Sequence, residues 1–225
     1  MSDHHIIKAL GIASALALGV ATQASASPIL GIELIESGFA TFSTTSSADP
    51  LIVSQSFGTF KTNVEVNNLE TDPLSMDLSS TNVSTSTAGT LTIIASATGL
   101  TSPLGLSQLF SQFSGNYSGA VTSATFQTYV SNSNTMFGMD TLLASLTGTG
   151  TPFATSADSS VTTNDPFAIT EVLTISTTGQ ATISFDGSIA SAPEIDAGTG
   201  GAAIALLLGA LGLVGERRRR PEATA

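Results

Sequence analysis

The sequence contains no cysteine and no tryptophan. Without cysteine, stability rests on packing and hydrogen bonds rather than disulfides. Both histidines, His4 and His5, lie at the N-terminus, and all four arginines lie at 217–220. Residues 27–190 therefore hold no histidine, cysteine or arginine, and Lys61 is their only base. This excludes Ser–His and Cys–His nucleophile pairs over that stretch, and zinc or copper sites of the ordinary kind. Against Lys61 stand twelve acids: Glu33, Glu36, Asp49, Glu65, Glu70, Asp72, Asp77, Asp140, Asp158, Asp165, Glu171 and Asp186. Affinity for phosphate backbones comes from Lys and Arg, so nucleic acid is excluded as a partner. Anionic membrane surfaces are disfavoured, while solubility and mutual repulsion are favoured.

Apolar runs do occur, and they sit near the two termini. At the N-terminus, a polar segment ending in Lys8 precedes the apolar stretch Ala9 to Ala21, followed by Ala24-Ser25-Ala26. Small residues at Ala24 and Ala26 complete the pattern of a signal peptide over residues 1–26, cleaved after Ala26. The expected partners there are the secretion machinery and signal peptidase, and the two histidines leave with the peptide.

The C-terminal tail is more specific. Ser191-Ala192 leads into Pro193, Glu194, Ile195 and Asp196, followed by an uncharged run over 197–215, then Glu216 and Arg217, Arg218, Arg219 and Arg220. Residues 197–215 as a helix reach roughly 28 Å at about 1.5 Å per residue. That is close to the bilayer hydrocarbon core of about 30 Å. A helix is required there because lipid leaves backbone groups no other partner. The arginine cluster at 217–220 is a basic stop that stays on the cytoplasmic side of the inner membrane. Residues 221–225 are then a short cytoplasmic tail, and everything before Pro193 lies outside.

Motif, membrane-length helix and basic stop in that order resemble the PEP-CTERM class of C-terminal sorting signals. The closest resemblance is to the variant headed by Pro-Glu-Ile-Asp, the VPEID type. Ile195 replaces the second proline of the commoner signal, and Ala192 stands where the variant often has valine. The resemblance implies that an exosortase, a membrane-embedded processing enzyme of Gram-negative bacteria, recognises Pro193, Glu194, Ile195 and Asp196. It also implies a transient anchor at 197–215, with the cell surface or extracellular matrix as destination. Because such systems accompany exopolysaccharide production, it further implies a matrix or biofilm component with exopolysaccharide as a partner.

Between the two signals, residues 27–190 are one domain's worth of chain, long enough to bury a core. Serine and threonine exceed a quarter of the whole sequence. Val, Ile, Leu and Phe nevertheless recur at short intervals, unlike a disordered chain. Period-two alternation marks strands over 29–35, 52–57, 60–66, 91–98, 122–130 and 167–176. Thr177-Thr178-Gly179-Gln180 reads as the turn of a hairpin running on through Thr182 to Asp186. That hairpin resembles the closing hairpin of many exported PEP-CTERM β proteins. Asn132-Ser133-Asn134 and Gly148-Thr149-Gly150 read as turns. Leu106, Leu109, Phe110 and Phe113 instead follow helical spacing, with Ser102 as N-cap, Pro103 first and Gly115 just past the end. The expected fold is all-β, an antiparallel β-sandwich with one short helix, or a jelly-roll as the alternative.

Three constellations bear on chemistry. Lys61 beside a serine would be a general base, but with Glu65 on the same strand face it reads as an exposed lysine. A pair of carboxylates would serve glycoside hydrolysis at about 5 to 9.5 Å separation, with one raised pKa. No aromatic sugar platform accompanies the acids, and only Tyr117 and Tyr129 are candidates for stacking. Glu70, Asp72 and Asp77 flank Pro73 in a loop-like stretch and offer the oxygen ligands Ca²⁺ takes. A solvated acidic loop is the plainer reading of the same residues. The sequence thus predicts no enzyme and no required cofactor. It leaves two readings of the domain: a structural surface protein, or a Ca²⁺- or polysaccharide-binding adhesin module.

Overall fold

A computed structural model describes residues 28–71, 74–101 and 108–191. The expected signal peptide, the sorting motif, the expected span at 197–215 and the arginine cluster lie outside the described residues, as do Ser102, Pro103, Leu106, Asp72 and Pro73. The described part is all-β. Ten strands occur: β1 (Ile29–Glu36), β2 (Phe42–Ser46), β3 (Leu51–Phe57), β4 (Phe60–Thr71), β5 (Leu74–Thr85), β6 (Ala88–Leu100), β7 (Gln108–Ser131), β8 (Thr141–Thr147), β9 (Phe153–Ser160) and β10 (Phe167–Ser191). All strand pairings are antiparallel.

β7 and β10 are the long elements, at 24 and 25 residues. They pair with each other from Ala168↔Ser131 to Ser191↔Leu109. The first half of β10 also pairs with β6, and its second half with β5. The second half of β7 pairs with β8, and its first half with β9. Two six-stranded layers result. The first runs β2-β1-β6-β10-β7-β8, the second β3-β4-β5-β10-β7-β9. β7 and β10 belong to both.

The layers pack face to face because the shared strands fold over. A straight strand would place Phe113 and Phe126 about 43 Å apart at about 3.3 Å per residue. Their rings instead stack with centroids 5.3 Å apart. Ser111 and Thr128, also on β7, share a hydrogen bond of 2.8 Å between their side chains. The corner shows as register shifts in the β7–β10 pairing between Ser176 and Ala181. Opposite it, Gly119 has φ +88°, and a Cβ there would meet the Gln180 carbonyl oxygen at 2.2 Å. An L side chain is excluded at that bend.

One core fills the space between the layers. Leu30, Ile32 and Leu34, Leu91 and Ile93, Phe126 and Leu173 face inward from the first layer. Phe60 and Val64, Met76 and Leu78, Phe113 and Ile183 face inward from the second. Side contacts close both ends of the layers. Glu36, at the end of β1, accepts hydrogen bonds from the Thr59 N–H (2.9 Å) and hydroxyl (2.6 Å) in the β3–β4 turn. Ser159 of β9 donates to the Leu143 carbonyl of β8.

Two sequence-based expectations are corrected. The helix expected around Leu109, Phe110 and Phe113 is the start of β7. There Leu109, Ser111 and Phe113 are buried and Gln112 exposed. The buried position between the two apolar ones is a serine, which hides the period of two and leaves a helical spacing by coincidence. The hairpin expected at Thr177–Gln180 is the corner of one continuous strand. Both halves of β10 pair antiparallel to the same partner, β7, so the chain does not reverse there.

The Phe126 ring also faces Gly187 across the core, where a Cβ would meet its Cε2 at 2.4 Å. Phe126→Ala should cost about 3–5 kcal/mol through the cavity it leaves. Gly187→Val should cost about 1–3 kcal/mol through overpacking at the same place. Urea unfolding followed by circular dichroism reads both as lowered midpoints, and an unchanged midpoint for either would contradict the packing described.

Candidate functional site

The two outer faces differ. On the first layer, the segment between β7 and β8 folds back over the sheet. Met136 and Phe137 lie against Gly31. The Phe137 N–H donates to the Ser96 hydroxyl (3.1 Å), and the Asn134 amide oxygen accepts from the Gly99 N–H (2.7 Å). Asp140 secures the base of this flap by accepting from Ser131 (2.8 Å) and Ser133 (3.0 Å). Those two hydroxyls, Ser131 first, hold its carboxyl below the usual carboxylate value. Ser96, Thr170 and Ala168 are buried as a result.

The second layer's outer face has no such cover among the described residues. Successive strands place polar side chains in register across it. Ser54, Asn63, Asn82, Ser184 and Asn116 form one cross-strand row over β3, β4, β5, β10 and β7. Ser56, Lys61, Ser84, Thr182 and Ser118 form the next. Adjacent side chains in such a row are about 4.8 Å apart, the strand spacing. The face is hollowed rather than flat. Two adjoining hollows of about 530 and 470 Å³ share Asn82, Asn116 and Ser184. Lys61 lines the first, and Asp77 and Asp186 line the second. Asn63, Asn82 and Asn116 are all exposed. Toward the acidic end, the Asn67 side-chain N–H group donates to Glu65 (2.8 Å) and Ser79 (2.7 Å), so those groups are engaged within the sheet.

The site residues expected from the sequence are scattered over this frame. Lys61 and Glu65 do lie on one face of β4. Tyr117 is no stacking platform, because its ring packs toward Phe153 and Phe185 at 6.4 and 6.5 Å. Glu70 and Asp77 are not in a loop. They sit in the paired strands β4 and β5, opposite Ser75 and Asn67. The reason is the alternation of buried Leu74, Met76 and Leu78 with Ser75, Asp77 and Ser79, a strand signature that Pro73 obscures. Among the described residues no group of three metal-ligating side chains occurs. The amide row on the outer face is absent from the sequence-based candidates, although asparagines at alternating strand positions carry its signal.

Glu171 stands apart from this face. It points into the core between Ala95 and Thr128, flanked in its strand by inward-facing Ile169 and Leu173. It is 0% exposed, and neither carboxyl oxygen has a hydrogen-bond partner. Burial pushes its pKa well above the ordinary 4.5, and the charges of Asp77 and Asp186 push the same way. Burial also raises Asp186. From about the ordinary value upward, the folded chain keeps a proton that the unfolded chain has released. Stability therefore falls as pH rises through that window. Glu171→Gln should flatten most of this slope while leaving the smaller part due to Asp186. Thermal unfolding at about pH 5 and about pH 8 measures it. An equal loss of melting temperature in both proteins would mean that Glu171 does not titrate in that range.

No curated protein matches the chain. Among solved structures, it is similar to TmCBM27, a carbohydrate-binding module described for its specific mannan recognition, at 9% identity and a TM-score of 0.27, covering 71% of this chain and 89% of that chain. The tail supplies the identification: residues 192–221 match the family model of the VPEID-CTERM protein sorting domain, so this chain bears a VPEID-type C-terminal sorting signal.

Proposed function

We propose that this protein is an exported structural component of the cell surface or extracellular matrix, released from a transient membrane anchor by an exosortase. The sorting domain at 192–221 carries this reading, since it implies an exosortase-type partner, export and membrane-associated processing. In this reading Pro193, Glu194, Ile195 and Asp196 are the recognition residues, 197–215 spans the inner membrane, and Arg217 to Arg220 hold the C-terminus in the cytoplasm. The signal peptide at 1–26 starts export. In this reading the domain between is not an enzyme: it has no histidine or cysteine, and its acid–base groups are carboxylates, Lys61 and two tyrosines. An antiparallel sandwich with a Ser- and Thr-rich exterior suits a solvated, protease-exposed location.

A second reading is favoured by the uncovered polar face. There the domain is a polysaccharide-binding module that holds matrix polymer while the tail determines where it is delivered. Calcium assistance draws no support from the described acids, which gather in no group of three.

Mass spectrometry of the protein from its native host tests the first reading. The expected mature chain starts at Ser27, ends near Pro193-Glu194, and is found at the surface or in the medium. In an exosortase deletion, or with Glu194→Ala, the uncut chain should accumulate in the inner membrane. A chain still ending at Ala225 in wild-type cells would make the tail a permanent anchor and overturn the proposal.

A further inference from the structure

We infer that the amide row on the outer face of the second layer, Asn63, Asn82 and Asn116 with Ser184 between the last two, is the binding site for an extended, uncharged polysaccharide chain running across the strands. This rests on the polysaccharide-binding reading and adds the site, the direction of the chain and the ligand's charge class.

Four observations on the face agree. First, the row is straight and in register across four neighbouring strands, so the backbone ladder fixes its spacing. That spacing, about 4.8 Å, is of the order of one sugar ring in an extended polymer. Second, a carboxamide offers two N–H donors and an acceptor oxygen. Such a group can engage neighbouring hydroxyls as donor and acceptor together, the pattern an uncharged polyol presents. Third, Asn63 and Asn116 make no hydrogen bond to a described residue through these amides, and both are exposed. Their polar groups are not consumed by the fold, in contrast to Asn67 on the same face. Fourth, the hollows on either side of the row total enough open space to seat several rings, the one on the acidic side is lined mainly by polar atoms, and they share Asn82, Ser184 and Asn116.

Charge selects the class. Twelve acids against one lysine over residues 27–190 repel a polyanion. Within the face Asp77 and Asp186 lie on one side of the row and Lys61 on the other. A uronate polymer laid along the row would meet the acidic side and the overall negative field at once. A neutral chain meets neither penalty. With the Tyr117 ring at the wall of the first hollow packed toward Phe153 and Phe185, no described aromatic ring belongs to the row, so each domain binds weakly. Useful retention then comes from many domains on one polymer.

Affinity electrophoresis of the mature protein recovered from the host tests this, with hydroxyethyl cellulose, galactomannan, dextran and polygalacturonate in separate gels. The variant is Asn63→Ala/Asn82→Ala/Asn116→Ala, whose sites are exposed and whose fold is checked by circular dichroism and by an unchanged melting temperature. Retardation by at least one neutral polymer, weakened tenfold or more in the folded variant, is the expected result. Equal retardation of wild type and variant would overturn the site while leaving polysaccharide binding intact. Retardation by polygalacturonate alone would overturn the charge class. No retardation in any gel would end the polysaccharide-binding reading itself. If the triple variant does not fold, Asn116→Ala alone is read the same way, with a threefold or greater weakening expected.

Discussion

The pairing of β7 with β10 is the constraint on which the described structure depends. Neither strand belongs to one layer. Each runs through both, so the corner where they bend together decides how the layers meet. Gly119 permits that bend because its backbone takes a left-handed conformation beside the Gln180 carbonyl. Phe113 and Phe126, on the two arms of β7, then meet as a stacked pair, and Phe185 joins Phe113 at 5.3 Å from β10. Ring contacts of this kind add to the area they bury. The strands on either side, β6 with β1 and β5 with β4, dock on edges that the central pair has already positioned.

This arrangement leaves two places where the inside and outside of the molecule break simple rules. Inside, Glu171 occupies a core position with no hydrogen-bond partner and with two other carboxyls near enough to disfavour its charge. A buried acid without a partner is costly, and neutrality is how the fold accommodates it. Outside, the flap over 132–140 covers one face while the other stays open. Hydroxyls on the covered face are used within the protein, as Ser96 is by Phe137 and Thr170. The exposed amides of Asn63 and Asn116 on the open face are not. The asymmetry makes one face of a Ser- and Thr-rich sheet a candidate site and the other a packed surface.

Legibility from the sequence follows local pattern. Strands β3 and β6 set buried aliphatic residues at alternate positions over much of their length, and their positions are readable. β5 is hidden because Pro73 and three nearby acids have the composition of a loop, although Leu74, Met76, Leu78 and Val83 form one buried face. The first half of β7 is disguised because Ser111 interrupts its apolar face. Ser111 is tolerated there because Thr128, on the same strand but in the other layer, gives it a hydrogen bond. No local window contains that partner. Similarly, Thr177-Thr178-Gly179-Gln180 has the composition of a turn, and the chain does bend there, but β7 pairs on both sides and keeps one direction.

The sequence by itself determined the C-terminal sorting signal, the all-β class of the domain and its charge. Those properties are additive over residues: an apolar run of membrane length, a basic cluster, an alternation, an excess of acids. Tertiary structure decided which polar residues remain open to a ligand. Asn63, Asn82 and Asn116 stand nineteen and thirty-four residues apart along the chain, and only strand register brings them into one row. It likewise decided that Glu171, one acid among the twelve of residues 27–190, is sealed from water. Alternation predicts which side of a strand a residue takes, but burial also depends on what the rest of the chain lays over that side.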